Sequence, residues 1–258
     1  MSDRRLEGKV CVVTGSTAGI GAATAKLFAE HGGKVVVSGR RAEKGEAVVW
    51  AIREAGHTAQ FLACDVVDDV QMDALIQETI QQYGGIDVLV NNAADVAGAH
   101  GPGRAVADLS VESWDGQIRT NLRSVFYLSK LAIPLMRERG GGAIVNISSI
   151  GSVVGWENGA AYLASKGAIN QLTRSMAIDY MRDRIRVNAL CPGWIMTEIE
   201  QARVEANPSA VENLYEDKGI TRMGEPREMA YAALFLACNE SSYVTGSMLF
   251  ADGGWTLQ

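Results

Sequence analysis

The chain has 258 residues, of which 47% are hydrophobic and 21% are charged. This is ordinary globular composition, and the length allows one large α/β domain or two small ones. The formal net charge of −6 argues against a nucleic acid or an anionic membrane as the partner.

The chain lacks the sequence signals of export, membrane insertion and metal binding. The polar N-terminus has no apolar stretch of the kind found in signal peptides, and no apolar run approaches the ~20 residues that span a bilayer. The three histidines and four cysteines have no metal-ligand spacing. We therefore expect a cytoplasmic protein with reduced cysteines and no metal.

Short apolar runs alternate with amphipathic segments, which predicts strands and helices in turn. The predicted strands are Lys9 to Thr14, Lys34 to Ser38, Ala59 to Cys64, Asp87 to Val90, Ala143 to Ile147, Ile185 to Leu190 and Met248 to Ala251. The predicted helices are Ile20 to His31, Ala42 to Ala55, one with an apolar face from Met72 to Tyr83, Val111 to Glu138 with an interruption at Pro134, Ala161 to Tyr180, and one that starts near Pro226 and continues to Cys238.

The apolar strands are continuous rather than alternating, so both faces of their sheet should be covered. Strand-helix alternation then predicts an α/β fold in which one doubly wound, Rossmann-type parallel sheet of about seven strands carries helices on both faces. We expect residues 1–258 to form a single domain. The least regular stretch, Trp194 to Gly224, follows a strand end and is a candidate substrate lid.

A glycine-rich turn, Thr14-Gly15-Ser16-Thr17-Ala18-Gly19-Ile20-Gly21, joins the first strand to the first helix. Its glycines permit a sharp turn and a close approach of the backbone to a ligand. The helix that follows offers free amides and the positive end of its dipole to a pyrophosphate. The turn therefore predicts a dinucleotide cofactor, although glycine turns between strands and helices are common.

The spacing of this turn resembles the T-G-x-x-x-G-I-G signature of the short-chain dehydrogenase/reductase family, and the resemblance extends over nearly the whole chain. Asn91-Asn92-Ala93-Ala94 is similar to the family's N-N-A-G segment, with Ala94 in place of glycine, and Pro192-Gly193 with Thr197 matches its P-G-x-x-x-T pattern. The resemblance implies a nicotinamide cofactor bound by Gly15, Ser16, Thr17, Gly19, Ile20, Gly21, Asp65, Val66, Asn91, Ala93, Pro192, Gly193, Ile195 and Thr197. Asp65 could equally be a helix cap.

The residues after the second predicted strand bear on the choice between the two nicotinamide cofactors. A carboxylate here usually binds the ribose 2′-hydroxyl of NAD, but this chain has Gly39 followed by Arg40 and Arg41. Arginine can pair with a 2′-phosphate, so we predict NADP in preference to NAD. The alternative is that both arginines are merely solvated at a helix start.

Tyr162 and Lys166 lie four residues apart, on one face of a predicted helix. Together with Asn121 and Ser149 they match the catalytic tetrad of the resembled family. Tyr162 is the predicted general acid in reduction and general base in oxidation, and Lys166 is expected to lower its pKa from ~10 by ~2–3 units. Ser149 is expected to bind the substrate oxygen, Lys166 also the nicotinamide ribose, and Asn121 a water on the proton route to solvent.

The predicted reaction is hydride transfer between the cofactor and a secondary alcohol or ketone. Two alternatives stay open: an NAD-dependent alcohol dehydrogenase that works mainly in oxidation, and a nicotinamide-binding regulatory or scaffold protein without turnover. The family resemblance implies a homotetramer that uses two long helices and the C-terminal segment. Candidate substrate contacts come from the loops after the fourth, fifth and sixth predicted strands; they are Val96, Val153, Trp156, Trp194 and Met196, with Glu157 and His100 as polar members.

Overall fold

The computed structural model describes residues 4–99, 103–207 and 220–257. Within these residues, seven strands form one parallel sheet in the order β3-β2-β1-β4-β5-β6-β7. The strands are β1 (Val10–Val13), β2 (Lys34–Gly39), β3 (Ala59–Ala63), β4 (Val88–Asn91), β5 (Gly142–Ile147), β6 (Ile185–Pro192) and β7 (Met248–Ala251). The predicted doubly wound Rossmann-type sheet is confirmed.

Helices pack on both faces of this sheet. They are α1 (Gly19–Glu30), α2 (Ala42–Glu54), α3 (Asp69–Tyr83), α4 (Val111–Ile118), α5 (Ser124–Glu138), α6 (Ala160–Tyr180), α7 (Glu198–Ala206) and α8 (Pro226–Ala237). Strand β1 divides its side chains between the two faces: Cys11 and Val13 belong to a core with α1 and α8, and Val12 to a core with α3 and α5. This two-sided burial is why β1 is apolar at every position. Among the helices described, none combines the length and apolar character of a membrane span.

The long helical stretch from Val111 to Glu138 departs from the prediction in one respect. Pro134 lies inside α5 and does not interrupt it. The neighbouring residues Ala132, Ile133 and Met136 are buried in the core, and this packing offsets the hydrogen bond that a proline cannot donate. The irregularity lies earlier, where a π-helical turn over Arg119–Arg123 joins α4 to α5. Such wide turns are frequent at functional sites.

The strand order reverses between β1 and β4, and in open α/β sheets this switch point is where ligands bind, beyond the carboxyl ends of the strands. The predicted lid follows β6 at the same edge. Its described part contains α7 and a parallel bridge between Ile195 and Gly224, whereas residues 208–219 of that prediction lie outside the described residues.

Asp87, which precedes β4, ties three parts of the fold together. Its carboxylate accepts hydrogen bonds from Val10 N at 2.8 Å and from Nε and Nη2 of Arg139, each at 3.0 Å. Burial by itself would raise the pKa of Asp87, but the bonds from Arg139 and Val10 and the charge of Lys9 outweigh it and lower the pKa.

We expect Asp87→Asn to lower the free energy of unfolding by about 2–3 kcal/mol, because an amide cannot accept all of these bonds. The stabilisation by Asp87 is present above its unfolded pKa of ~3.9 and is lost as the pH falls toward the lower folded value. Denaturation midpoints at neutral pH measure the loss, with the exposed Asp115→Asn as control. Equal denaturation midpoints for Asp87→Asn and Asp115→Asn would contradict the conclusion that the hydrogen bonds of Asp87 stabilise the fold.

Candidate active site

The turn after β1 is fitted closely to the end of β4. Gly15 has a φ of +62°, and an added Cβ would lie 2.7 Å from the Cα of Ala93; at Gly21 it would lie 2.4 Å from the amide nitrogen of Asn92. The Thr14 hydroxyl accepts hydrogen bonds from the backbone N–H groups of Asn92 and Ala93, at 3.0 and 3.1 Å. Only glycine fits these positions, so the turn lies flat against the sheet edge.

The N-terminus of α1 is open to an anionic ligand. Ala18 caps the helix without a side-chain hydrogen bond, and the first turn has no acidic residue. The first backbone N–H groups of a helix have no partner within the helix, and the dipole adds positive potential there. The glycine cradle and the uncapped helix therefore fit the pyrophosphate of a dinucleotide cofactor.

Two arginines follow β2 at the same edge, and the structure places them differently. Arg41 donates from Nε and Nη2 to the Thr17 hydroxyl, at 3.2 and 2.9 Å, so its guanidinium lies against the glycine-rich turn. The side chain of Arg40 is 76% exposed, and its Nη1 lies 3.8 Å from Oδ2 of Asp65. At Gly39, an added Cβ would meet the Thr17 methyl at 2.8 Å, which leaves little room there for a carboxylate.

The predicted catalytic side chains converge at the ends of β5 and α6. Lys166 Nζ donates to the backbone oxygen of Ile147 at 2.8 Å and lies 5.6 Å from the ring centroid of Tyr162. Ser149 accepts a hydrogen bond from Gly151 N at 3.0 Å, and its hydroxyl acts on Tyr162 in the direction that lowers the pKa of the phenol. Tyr162 and Lys166 are 7% and 3% exposed, so both side chains are largely removed from water.

Burial sets the acidity of both groups. It raises the pKa of Tyr162, with the Ser149 hydrogen bond acting in the opposite direction. It lowers the pKa of Lys166 from 10.5 to about 8. The lowered tyrosine pKa expected from the sequence is thus not a property of the polypeptide alone, because desolvation of the phenolate outweighs its neighbours. At neutral pH the pair is a neutral phenol beside a mostly protonated amine.

Asn121 lies in the π-helical turn and is 1% exposed. Its Oδ1 accepts a hydrogen bond from Asp95 N at 2.7 Å, while its Nδ2 donates to Asp95 O at 3.0 Å and to Ser165 Oγ at 3.2 Å. The amide therefore holds the backbone of Asp95 in place.

A cleft of about 590 Å³ runs along this edge and brings the cofactor and catalytic candidates together. Most of the predicted residues line it: Gly15, Thr17, Gly19, Ile20, Gly21, Arg40, Arg41, Asp65, Val66, Ala93, Ser149, Tyr162, Lys166, Pro192, Gly193, Ile195 and Thr197. Further lining residues that the sequence analysis did not select are Ala18, Gly39, Cys64, Asn92, Ala94, Asp95, Thr120, Ile147, Ser148, Glu198, Ile199 and Glu200.

Two residues predicted to bind the cofactor lie behind the cleft wall. Ser16 donates to Val13 O at 2.6 Å and accepts from Ser38 N at 2.9 Å, so it joins β1 to β2. Asn91 is buried and donates to Oδ1 of Asn146 at 2.9 Å. Its neighbour Asn92 lines the cleft instead and donates to the carbonyl oxygens of Thr14 and Gly15, at 2.8 and 3.1 Å. The sequence shows that two asparagines follow each other here, but only the direction of successive side chains along the strand decides which of them lines the cleft.

Among the candidate substrate contacts, Val96 lines the cleft. Trp194 donates to Oε2 of Glu200 at 2.7 Å, and Val153 is exposed. Trp156 donates to Gly98 O at 2.9 Å. The remaining candidates are Met196, whose backbone N–H bonds Gly224 O at 2.8 Å, the exposed Glu157, and His100, which lies outside the described residues.

Comparisons with known proteins agree with this geometry. A family model described as enoyl-(acyl carrier protein) reductase matches residues 15–256. An uncharacterized oxidoreductase of Thermotoga maritima is 39% identical over 253 residues, which cover 97% of this chain and 98% of the relative. The cis-4-hydroxycyclohexanecarboxylate dehydrogenase of Sinomonas cyclohexanicum is 40% identical over 249 residues, 96% of each chain.

Solved structures give the same result. A 7α-hydroxysteroid dehydrogenase in complex with NADH and 7-oxo glycochenodeoxycholic acid has a TM-score of 0.91 and 34% identity, over 98% of this chain and 96% of that chain. A protein of Burkholderia xenovorans described as a short-chain dehydrogenase/reductase has a TM-score of 0.90 and 32% identity, over 98% of both chains.

Proposed function

This chain belongs to the short-chain dehydrogenase/reductase family, and from that premise we propose that it transfers hydride between NADP(H) and a secondary alcohol or ketone, with Tyr162 as general acid and base. It is an oxidoreductase of hydroxyl and carbonyl groups. The observation that carries the proposal is the convergence of Ser149, Tyr162 and Lys166 in the cleft that the glycine-rich turn also lines.

In the direction of reduction, the Ser149 hydroxyl donates to the substrate oxygen and holds it beside the Tyr162 phenol. Tyr162 then protonates that oxygen as negative charge develops on it. The Lys166 ammonium stabilises the resulting phenolate, and the Ile147 carbonyl fixes the position of Nζ. When bound, the cofactor supplies the hydride in reduction, or accepts it in oxidation.

Asn121 acts as a positioning residue in this proposal, because both ends of its amide are used by the backbone of Asp95 and by Ser165. We further propose that the segment from Trp194 to Gly224 closes over the substrate. Its first helix, α7, is joined to α2 by an ion pair between Lys44 and Glu198, at 3.0 Å.

The test is a panel of alcohols and carbonyl compounds assayed with NADP(H) and with NAD(H), followed by nicotinamide absorbance. Turnover of secondary alcohols or ketones is the expected result. Tight cofactor binding without turnover of any panel member would instead favour a nicotinamide-binding scaffold protein.

The preference for NADP is supported by Arg41, which lies on the glycine-rich turn, and by the absence of an acidic residue at Gly39. We expect Arg41→Ala to lower kcat/KM for NADP about 10-fold and to leave kcat/KM for NAD nearly unchanged, because a 2′-phosphate loses a charge-assisted hydrogen bond. Steady-state kinetics with both cofactors measures this, with the exposed Arg182→Ala as control. A wild-type enzyme with a higher kcat/KM for NAD than for NADP would contradict the proposed preference. A preference for NAD is the principal alternative, because the similar hydroxysteroid dehydrogenase was solved in complex with NADH.

A homotetramer is supported by an apolar groove of about 510 Å³ on the helices that the family resemblance assigns to the interface. It is lined by Ile118, Leu122 and Phe126 on one side and by Ala168 and Leu172 of α6 on the other, and Phe126 is 50% exposed. We expect Phe126→Asp to lower the molar mass measured by light scattering, because a carboxylate would be desolvated in the interface. The control Val70→Asp, at a more exposed apolar residue of α3, should leave the mass unaltered, and an unaltered mass for Phe126→Asp would contradict this interface.

A further inference from the structure

The loop that follows β4 is held by buried side chains although its own surface is exposed. Asn121 bonds both the N–H and the C=O of Asp95, and Gln117 Nε2 donates to Asp95 O at 3.2 Å and to Ala97 O at 2.6 Å. Both amide side chains are nearly inaccessible to solvent. Four hydrogen bonds thus hold this short exposed segment in place. A loop that only connects a strand to a helix does not need so many.

Trp156 ties the same loop to the segment that leads into the catalytic helix. Its Nε1 donates to Gly98 O at 2.9 Å, and its ring centroid lies 6.1 Å from that of Tyr162. Gly151 and Gly159 leave room for the indole, since an added Cβ at either glycine would meet its ring within 2.7 Å. Trp156 is therefore a support between the loop and Tyr162 rather than a lining residue of the cleft.

The residue that these contacts hold in place is Asp95, which lines the cleft together with Ser149 and Tyr162. Its Oδ1 accepts a hydrogen bond from Ala97 N at 2.9 Å. Within the described part of the chain, Oδ2 has no protein partner. The carboxylate is thus held in place in the cleft that Tyr162 also lines, with one oxygen available as an acceptor.

The cations of the cleft do not compete for that oxygen. Arg40 and Arg41 follow β2 and contact Asp65 and Thr17, and Lys166 is bonded to the Ile147 carbonyl. A substrate group placed at Asp95 therefore meets a negative charge that no described residue neutralises. Such an acceptor favours a hydrogen-bond donor and repels an anion.

We infer that Asp95 is a specificity-determining residue that accepts a hydrogen bond from a second hydroxyl group of the substrate, so that the enzyme prefers diols and polyols over simple alcohols and hydroxy acids. This inference rests on the proposed function, because it concerns the substrate end of the same cleft. A hydrogen bond to a fixed carboxylate is stronger than one between neutral groups, and the ordered loop has little conformational freedom left to lose on binding.

The experiment compares kcat/KM for cis-cyclohexane-1,2-diol, cyclohexanol and 4-hydroxycyclohexanecarboxylate in the wild type and in Asp95→Asn. The amide keeps the size of the side chain but removes its charge. We expect kcat/KM for the diol to fall about 10-fold, that for cyclohexanol to change less than about 2-fold, and that for the hydroxy acid to rise. The control Asp115→Asn lies on the exposed face of α4 and should leave kcat/KM unchanged for all three substrates.

Equal losses for diol and cyclohexanol, or a wild type with no preference for the diol, would overturn the assignment to Asp95 and leave the proposed function standing. A wild type that turns over no alcohol and no ketone would overturn the proposed function and the diol preference with it. Unchanged cofactor affinity in Asp95→Asn is also expected, and a change of 10-fold or more would overturn the assignment of Asp95 to the substrate end of the cleft.

Discussion

Replacement of Tyr162 by phenylalanine is expected to lower kcat by a factor of about 10² or more while cofactor affinity is retained. The ring keeps its buried position against Trp156, so the fold and the shape of the cleft should persist. The lost hydroxyl is the group that would deliver the proton to the substrate oxygen. Steady-state kinetics and fluorescence titration with the cofactor separate the two effects.

Tyr243→Phe is the matched control, because that tyrosine is fully exposed and its phenol lies outside the cleft. It should leave kcat and the cofactor Kd unchanged. Near-normal turnover in Tyr162→Phe would contradict the assignment of Tyr162 as the acid and base. Since burial raises the Tyr162 pKa, the difference in phenolate absorbance between wild type and variant should appear only well above neutral pH.

Replacement of Lys166 by methionine is expected to lower kcat by about 10² and to raise the KM for the cofactor. The ammonium is the positive charge beside Tyr162, and without it phenolate formation in a buried site is disfavoured by several kcal/mol. Methionine has a similar length and no charge, so the packing around Ile147 changes little. The exposed Lys26→Met serves as control and should leave both parameters unchanged.

We also expect Lys166→Met to change the stability of the folded protein in a way that depends on pH. Burial lowers the folded-state pKa of Lys166 from 10.5 to about 8, so below pH ~8 both folded and unfolded chains carry the proton and the folded chain bears the full cost of a buried charge. A shift of this size corresponds to a cost of about 3 kcal/mol. As the pH rises from ~8 to ~10.5 the folded chain loses the proton first, and the cost disappears.

Lys166→Met should therefore have a higher denaturation midpoint than the wild type at pH 7, and the difference should shrink by pH ~10. Thermal unfolding at one protein concentration measures both points, since assembly also shifts midpoints. Two results would contradict the conclusion that the buried charge of Lys166 destabilises the folded protein. One is a lower denaturation midpoint for Lys166→Met than for the wild type at pH 7, and the other is the same difference in midpoint at both pH values.

The sequence by itself determined the sheet and selected the residues to which we assign the proposed chemistry. Strand β1 and the Val35 to Val37 run of β2 are continuously apolar because both faces of the sheet are covered, and this pattern can be seen in the sequence alone. The glycine-rich turn is equally local, since Gly15 and Gly19 have backbone angles that the chain sequence itself permits. Tyr162 and Lys166 share one helix face by spacing alone.

Only the tertiary structure decided how the surrounding residues are used. The sequence predicts that Pro134 interrupts the helix, but α5 continues past it because its neighbours pack in the core. The irregular turn lies instead at Asn121. The sequence predicts a substrate contact for Trp156, and only the fold shows that its indole also donates a hydrogen bond to Gly98 O in the loop that follows Asp95. The physical reason is common to both: their roles depend on partners distant in the chain, which no local pattern contains.

Acidity is the clearest case of this division. From the sequence, Lys166 beside Tyr162 predicts a lowered phenol pKa, since opposite charges four residues apart attract. In the fold, both groups are taken out of water, and desolvation raises the Tyr162 pKa while it lowers that of Lys166. The spacing in the sequence therefore determines that Tyr162 and Lys166 lie close together. Their protonation states depend on burial, which only the folded chain creates.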